Sequence, residues 1–380
     1  MQREELSAWL RLTLTPGIGN QGARRLLAAF GLPQALFAQD ASALADLVPA
    51  HLVRALQQEP EGLAELLSTT WDWLHATESG LNRQIICLAD THYPQALLHT
   101  ADPPLMLYTL GQHSLDGQMG LESVAASIAI VGSRNPTPQG AANAHAFASA
   151  LSQAGLTVVS GMALGIDGAA HQGALEGPSR TVAVVGTGLD RVYPKRHLKL
   201  AHRIAEQGLI VSEFPLGTPP LMANFPQRNR IIAALSQGTL VVEAAVQSGS
   251  LITARLALEQ GKEVFAIPGS IHSPQSRGCH LLIRQGAKLV ETAQDVLEDL
   301  GLPYAINLIA INAHSTGLSE GSYKNSALLE ALGFDPCSLD ALQARTGWAT
   351  AELQAALLEL ELEGWLARLP GGLFQQTRQA

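Results

Sequence analysis

Seven short apolar runs alternate with helix-length segments between residues 127 and 291, and this alternation restricts the chain to an α/β fold. The runs are Ser127 to Arg134 (SIAIVGSR), Leu156 to Met162 (LTVVSGM), Arg180 to Asp190 (RTVAVVGTGLD), Leu209 to Pro215 (LIVSEFP), Gly238 to Ala245 (GTLVVEAA), Glu263 to Gly269 (EVFAIPG) and Lys288 to Glu291 (KLVE). They lack polar alternation and are rich in β-branched residues, as strands covered on both faces of a parallel sheet are. Four of them end in, or lead into, glycine beside a hydroxyl or basic residue. In an open sheet such ends converge on one crevice, the usual ligand site of doubly wound folds.

The block Asn224 to Ala254 (NFPQRNRIIAALSQGTLVVEAAVQSGSLITA) is the richest in chemistry. It sets Phe225, Arg228 and Arg230 on a helix ahead of one strand, and Ser248-Gly249-Ser250 then opens the next helix. Unpaired backbone N–H groups and the positive dipole end of that helix face the sheet edge, where a phosphate can sit. Thr137-Pro138 marks another helix start after the Gly-Ser-Arg of the first strand, since proline suits a first helical position.

GSR at 132 to 134, SGMALGID at 160 to 167, GTGLDRVYP at 186 to 194, FPQRNRII at 225 to 232, VVEA with SGSLITA at 241 to 254 and VFAIPG at 264 to 269 occur in this order. Together they resemble the DprA/Smf family of DNA-processing proteins, over roughly residues 83 to 299. The resemblance implies an extended Rossmann-like domain that binds single-stranded DNA, forms a homodimer and helps load the RecA recombinase on incoming DNA during natural transformation. No cofactor, metal site or catalytic residue is expected from it.

A chain of 380 residues with 47% hydrophobic content suits two or three domains around ample cores. Cys87, Cys279 and Cys337 are odd in number and far apart, which argues for a reducing compartment and against a disulfide frame or zinc cluster. The start MQREELSAWL carries charges where a signal peptide needs an apolar core, and no apolar run reaches membrane-spanning length. A cytoplasmic protein without membrane contact is the expectation. The net charge of −9 is unevenly spread: residues 1 to 127 hold 6 Lys/Arg against 13 Asp/Glu, residues 128 to 300 hold 14 against 12, and residues 301 to 380 hold 4 against 8. The motif-bearing part is the one that is not acidic, as a groove along a single strand's backbone requires.

The expected organisation is a helical unit over 1–75, a Rossmann-like core over 83–300 with a lead-in over 83–126, and a small winged-helix-like unit over 324–380. Leu14 to Asn20 (LTPGIGN) with the following GARRLLAAF resembles a helix-hairpin-helix element, but its acidic surroundings favour a structural or interaction role. Gly111 to Ser123 and Asn312 to Ser326 read as linkers. The C-terminal pattern is helix over 326–332, helix over 338–345, helix over 351–363 and a hairpin over 364–375, as in many relatives. Its third helix carries Glu352, Glu359, Glu361 and Glu363 with no Lys or Arg, the wrong sign for a DNA-reading helix.

Site residues follow from the resemblance and from residue chemistry. Arg134 of the GSR motif corresponds to a family phosphate contact, and Lys195 after Tyr193-Pro194 to a second one. Phe225 is a candidate for stacking on a base, while Arg228 and Arg230 either bind phosphate or brace the fold. Gly132, Ser133, Ser160, Gly161, Asn224, Ser248, Gly249 and Ser250 complete the expected DNA-binding set as backbone and hydroxyl donors. Where relatives often carry a basic residue three positions before the phenylalanine, this chain has Met222, and His197 and His280 stand where asparagine is common. Asp167 reads as a helix cap and Glu243 as an anchor for Arg228 or Arg230.

The alternative is a Rossmann-like nucleotide-binding enzyme such as a nucleotide phosphoribohydrolase, with Glu243 near Ser248-Gly249-Ser250 as its carboxylate. The PGGxGTxxE motif of those hydrolases is absent, Gly186-Thr187-Gly188 lacks the third glycine of a dinucleotide fingerprint, and no GxxxxGK[ST] occurs.

Overall fold

The computed structural model describes residues 1–76, 80–112, 126–302, 328–329 and 331–376. Both expected linkers and the start of the helix expected over 326–332 lie mostly outside these residues.

Nine strands form the main sheet: β1 (Asn82–Cys87), β2 (Met106–Gly111), β3 (Ser127–Val131), β4 (Thr157–Ser160), β5 (Thr181–Val184), β6 (Leu209–Ser212), β7 (Gly238–Val241), β8 (Glu263–Ala266) and β9 (Lys288–Leu289). Their order is β1-β2-β6-β5-β4-β3-β7-β8-β9. The seven strands expected from sequence, β3 to β9, are mutually parallel, whereas β2 runs antiparallel to β6 and β1 antiparallel to β2. The two added strands come from the lead-in, where pairing against β6 extends the sheet.

Alternate side chains of each parallel strand enter different cores, which is why these runs show no polar face. Ile128, Ile130, Val158 and Leu240 pack with α8 (Pro138–Gln153), α9 (Ile166–Ala174) and α14 (Ala293–Asp299). Ala183 and Ile210 extend that face under α10 (Leu198–Gln207). Ala129, Val131, Val159 and Val241 pack with α11 (Asn224–Ala234), α12 (Ser250–Glu259) and α13 (Arg277–Arg284) on the other face. The result is a doubly wound α/β sandwich.

Before the sheet stand six helices, α1 (Arg3–Leu14), α2 (Asn20–Phe30), α3 (Pro33–Phe37), α4 (Ala41–Ala45), α5 (Ala50–Gln57) and α6 (Leu63–His75), with α7 (Gln95–Leu98) between β1 and β2. Trp9, Leu10, Leu26 and Leu56 share one core with Ile85, Met106 and Tyr108 of β1 and β2, so the helical unit caps that end of the sheet. The turn between α1 and α2 needs Gly17: its φ is +80°, and an added Cβ would stand 2.8 Å from Leu52 Cδ2. The C-terminal unit has α15 (Leu339–Thr346) and α16 (Thr350–Leu362) beside a three-stranded sheet of β10 (Cys337–Ser338), β12 (Leu373–Gln376) and β11 (Leu366–Leu369), in the order β10-β12-β11, a winged-helix layout. All three cysteines are free and buried.

One buried histidine makes the core acid-sensitive. His171 on α9 is fully buried, its Nδ1–H donates to Thr181 Oγ1 at 2.7 Å, and its Nε2 has no hydrogen-bond partner. Burial, with the nearby charges of His197 and Arg228, pushes its pKa down to about 3. The unfolded chain therefore takes up a proton below about pH 6.5 that the folded chain refuses, and stability is lost as pH falls. Between about pH 7.5 and 4.5 this one group should remove about 2 to 3 kcal/mol. Buried Asp167 and Glu213, whose pKa values are raised by desolvation, act in the opposite sense. Urea unfolding of the wild type against His171→Gln isolates the effect: the difference between the two should shrink on acidification, and a constant difference would contradict it.

Candidate nucleic-acid interface

β3 and β7 are neighbours in the sheet, yet the chain leaves β3 toward α8 on one face and β7 toward α12 on the other. The two connections diverge and open a crevice at the carboxyl edge, the topological switch point of the fold. The cavity there measures about 480 Å³, and its lining includes Gly132, Ser133, Arg134, Phe225, Arg228, Ser248, Gly249 and Ser250.

The loop after β3 is held by backbone contacts that only small residues permit. Ser133 N donates to Glu243 O at 2.7 Å, and Ser133 Oγ accepts from Asn135 N at 3.1 Å. A Cβ on Gly132 would meet Ile166 Cγ1 at 2.7 Å and Glu243 O at 2.9 Å. Glu243 then fixes the start of α8. Its two carboxylate oxygens accept from Thr137 N at 2.9 Å and Thr137 Oγ1 at 2.6 Å, while Thr137 Oγ1 caps α8 by accepting from Gly140 N at 3.0 Å. Glu243 thus anchors a loop, and neither Arg228 nor Arg230 is its hydrogen-bonded partner. Burial raises its pKa against the lowering effect of Thr137.

This clamp leaves the Arg134 side chain exposed, with its guanidinium carbon 5.4 Å from the centroid of the Phe225 ring. The Phe225 ring lies in turn 5.8 Å from that of Tyr193, in the loop after β5. Lys195 follows two residues later and is exposed, although it does not line the cavity itself. The Tyr193-Pro194 peptide is cis. One cation and two aromatic rings are thereby grouped at the carboxyl edge of β3 and β5, with Lys195 exposed two residues beyond Tyr193 in the same loop.

Beneath them lies a buried polar floor. Arg228 is 5% exposed; its Nη1 donates to Val184 O at 3.2 Å and its Nη2 stands 3.9 Å from Asp167 Oδ2. The guanidinium rests against Gly161, where a Cβ would overlap it. Asp167 Oδ2 accepts from Gly161 N and Ala163 N, both at 3.2 Å, so it ties the loop after β4 to Arg228 rather than capping its own helix. That loop holds Met162 at φ +57°, the one non-glycine residue with positive φ among the described residues. His197 Nδ1–H donates to Met162 O at 3.0 Å. Ser160 Oγ donates to Ile130 O at 2.6 Å and Asn224 Nδ2 to Gly186 O at 3.0 Å, which makes both internal braces.

Arg230 leaves the group. It is paired with Glu213 and approaches Asp102 at 3.6 Å in a separate cavity toward the helical unit. Ser248 and Ser250 bond each other through their hydroxyls at 2.7 Å at the start of α12, whose N-cap Gly249 supplies no side-chain acceptor. His280 keeps a hydrogen bond to Gly269 O at 2.9 Å, so both histidines that replace asparagine retain a polar partner. Sequence reasoning missed Tyr193 as part of the aromatic group and Asn229 and Gln275, which bridge to Gly249 O and Asn135 O across the crevice. Tyr193 was findable, since it follows a strand end and precedes Lys195.

Residues 84–301 match the profile described as DNA recombination-mediator protein A, and residues 315–372 match the DprA winged helix domain. The chain belongs to the DNA recombination-mediator protein A family. Protein Smf of Escherichia coli K12 is 43% identical over 301 residues, covering 78% of this chain and 78% of that protein. Among solved structures, DNA processing protein A from Streptococcus pneumoniae is 35% identical with a TM-score of 0.61, covering 79% of this chain and 98% of that one. DNA processing protein A from Helicobacter pylori, whose structure is described for its single-stranded DNA binding mode, is 33% identical with a TM-score of 0.51 and covers 57% of this chain and 95% of that one. The family core contains every strand of the main sheet from Gln84 onward and the whole crevice. Among the described residues no helix is long and apolar enough to cross a membrane, and no cluster of His, Cys, Asp or Glu has metal-binding geometry.

Proposed function

We propose that the crevice between β3 and β7 binds single-stranded DNA and that the chain acts as a recombination mediator of its family's type, as a homodimer that protects incoming strands and helps load RecA in natural transformation. The observation that carries the reading is the exposed Arg134 guanidinium over Phe225, with Tyr193 and Lys195 alongside. Cations positioned next to aromatic rings serve a strand whose phosphates and unpaired bases are both accessible. The single-stranded DNA binding mode described for the Helicobacter pylori relative supports it.

Arg134 and Lys195 take phosphates, Phe225 and Tyr193 stack on bases, and the Ser248-Gly249-Ser250 turn at the start of α12 offers a hydroxyl donor, the N–H groups of Ser248 and Ser250 being bonded to Ala245 O and Ser248 Oγ. Gly132, Ser133, Ser160, Gly161, Asn224 and Arg228 shape this surface from below, and Arg230 acts elsewhere. Leu289 on the edge strand β9 and Leu258 on α12 are each 46% exposed, apolar side chains of the kind a second copy would cover. On α16 and at its C-cap, Glu352, Glu359 and Glu363 are exposed, a sign that suits a protein partner better than phosphate. Three free thiols accord with the cytoplasm. Against turnover of nucleotides stands the engagement of both Glu243 oxygens by Thr137.

Fluorescence anisotropy with single- and double-stranded oligonucleotides of equal length tests the reading. The single strand should bind at least about tenfold tighter, with affinity falling as salt rises. Equal affinity for both would remove the stacking surface from the account.

A further inference from the structure

The stretch Lys195 to Arg203 (KRHLKLAHR) holds four Lys/Arg, two His and no acid, in a chain of net charge −9. Lys195 and Arg196 lie on the single 3-10 turn Lys195–His197 that runs directly into α10, and Lys199 and Arg203 follow on α10 itself. Leu200, Ala201, Ile204 and Ala205 bury the inner face of α10 against Ala183 and Ile210 of the sheet. Lys199 and Arg203, four apart, share the opposite face, and both are exposed, as are Lys195 and Arg196. None of these four side chains forms an ion pair or a side-chain hydrogen bond among the described residues. Elsewhere in the sheet domain Arg191, Arg228, Arg230, Arg255 and Lys288 each face a carboxylate.

The placement is unfavourable for α10 taken alone. A helix start carries partial positive charge and favours acids, yet the first turn of α10 holds none, and three of the cations stand in it or just before it. Like charges one helical turn apart also repel each other. A bound polyanion relieves both effects. The stripe begins at Lys195, two residues after Tyr193, whose ring lies beside that of Phe225 in the crevice, and two residues of chain reach at most about 7 Å. We propose that a single strand held in the crevice leaves it past Tyr193 and continues along the outer face of α10, where Arg196, Lys199 and Arg203 join Lys195 in taking successive phosphates. The inference rests on the crevice reading above and extends its site. Lys199 and Arg203 are separated by about 6 Å along the helix axis, a spacing from which two long side chains reach neighbouring phosphates of an extended strand. Exposed Glu206 ends the stripe toward the last turn of α10. Phosphate contacts carry no base information, so the extension adds affinity and length dependence without sequence preference.

Fluorescence anisotropy with thymidine oligonucleotides of two lengths tests the path: about six nucleotides, enough for the crevice, and about twenty, enough to reach the end of α10. The variant is the full chain carrying Arg196→Gln, Lys199→Gln and Arg203→Gln. Glutamine matches lysine and arginine in helix propensity and the three side chains are exposed, so circular dichroism should show an intact fold. Its affinity for the longer strand should fall at least about tenfold, and the slope of log affinity against log salt should flatten by about 0.7 for each contact removed. The shorter strand should bind wild type and variant within about twofold of each other. Unchanged affinity for the longer strand, or an equal loss on both lengths, would overturn the extension and leave the crevice reading standing. A longer strand that the Arg134→Ala, Lys195→Ala variant holds and the glutamine variant loses would instead overturn the path through the crevice and leave α10 as a site on its own. A greater loss on a duplex of equal length than on the single strand would assign the stripe to duplex DNA and overturn the proposal.

Discussion

A chain carrying both Arg134→Ala and Lys195→Ala should lose about a hundredfold in affinity for a single-stranded oligonucleotide at moderate salt, each substitution removing about tenfold. The loss should be alike for all base sequences, because phosphate contacts carry no base information. The slope of log affinity against log salt should flatten by about 1.4 for the pair, about 0.7 for each contact removed. Both side chains are exposed, and neither takes part in a hydrogen bond of the folded core, so the thermal midpoint should stay unchanged. An unchanged affinity in the double variant would remove the crevice rim from the site, and a uniform loss accompanied by unfolding would reassign the two residues to structure.

Arg228→Ala should do the opposite, with its primary effect on stability. The Arg228 side chain is 6% exposed and that of Asp167 is 8% exposed, so removing the guanidinium strands a buried carboxylate and a carbonyl, Val184 O. Breaking such a pair costs about 3 to 5 kcal/mol, a large part of a domain's net stability. Asp167 already has its pKa raised by burial and lowered again chiefly by Arg228; without the arginine it should take a proton nearer neutrality. Urea unfolding monitored by circular dichroism checks this. A loss under about 1 kcal/mol would show that the backbone bonds from Gly161 and Ala163 suffice to hold Asp167.

The contrast between the two arginines shows where the sequence was legible and where it was not. The seven parallel strands could be read because strands buried on both faces have an unbroken apolar signature, and the crevice could be read because glycines cluster at their carboxyl ends. The edge strands β1 and β2 could not: their role depends on antiparallel pairing with β6 and on cover from helices some 80 residues earlier, neither of which has a local signal. In the FPQRNR segment the residue types were legible and their directions were not. Arg228 and Arg230 lie two apart on α11, about 200° around the helix axis, so one reaches under the crevice and the other faces the helical unit. Phe225 and Arg228, three apart, share a side. Glu243 was legible as a buried acid, but its partner Thr137 is 106 residues away in sequence and emerges only from the pairing of β3 with β7.

Photo-crosslinking of a thymidine oligonucleotide to the full chain, followed by peptide mapping, tests the central claim most directly. Zero-length crosslinks form where a base stacks on a ring, so adducts should concentrate on the peptides containing Phe225 and Tyr193 and should diminish in the Arg134→Ala, Lys195→Ala double variant. Adducts confined to the C-terminal unit, on β11, β12 or α16, with none at Phe225 or Tyr193, would contradict the account.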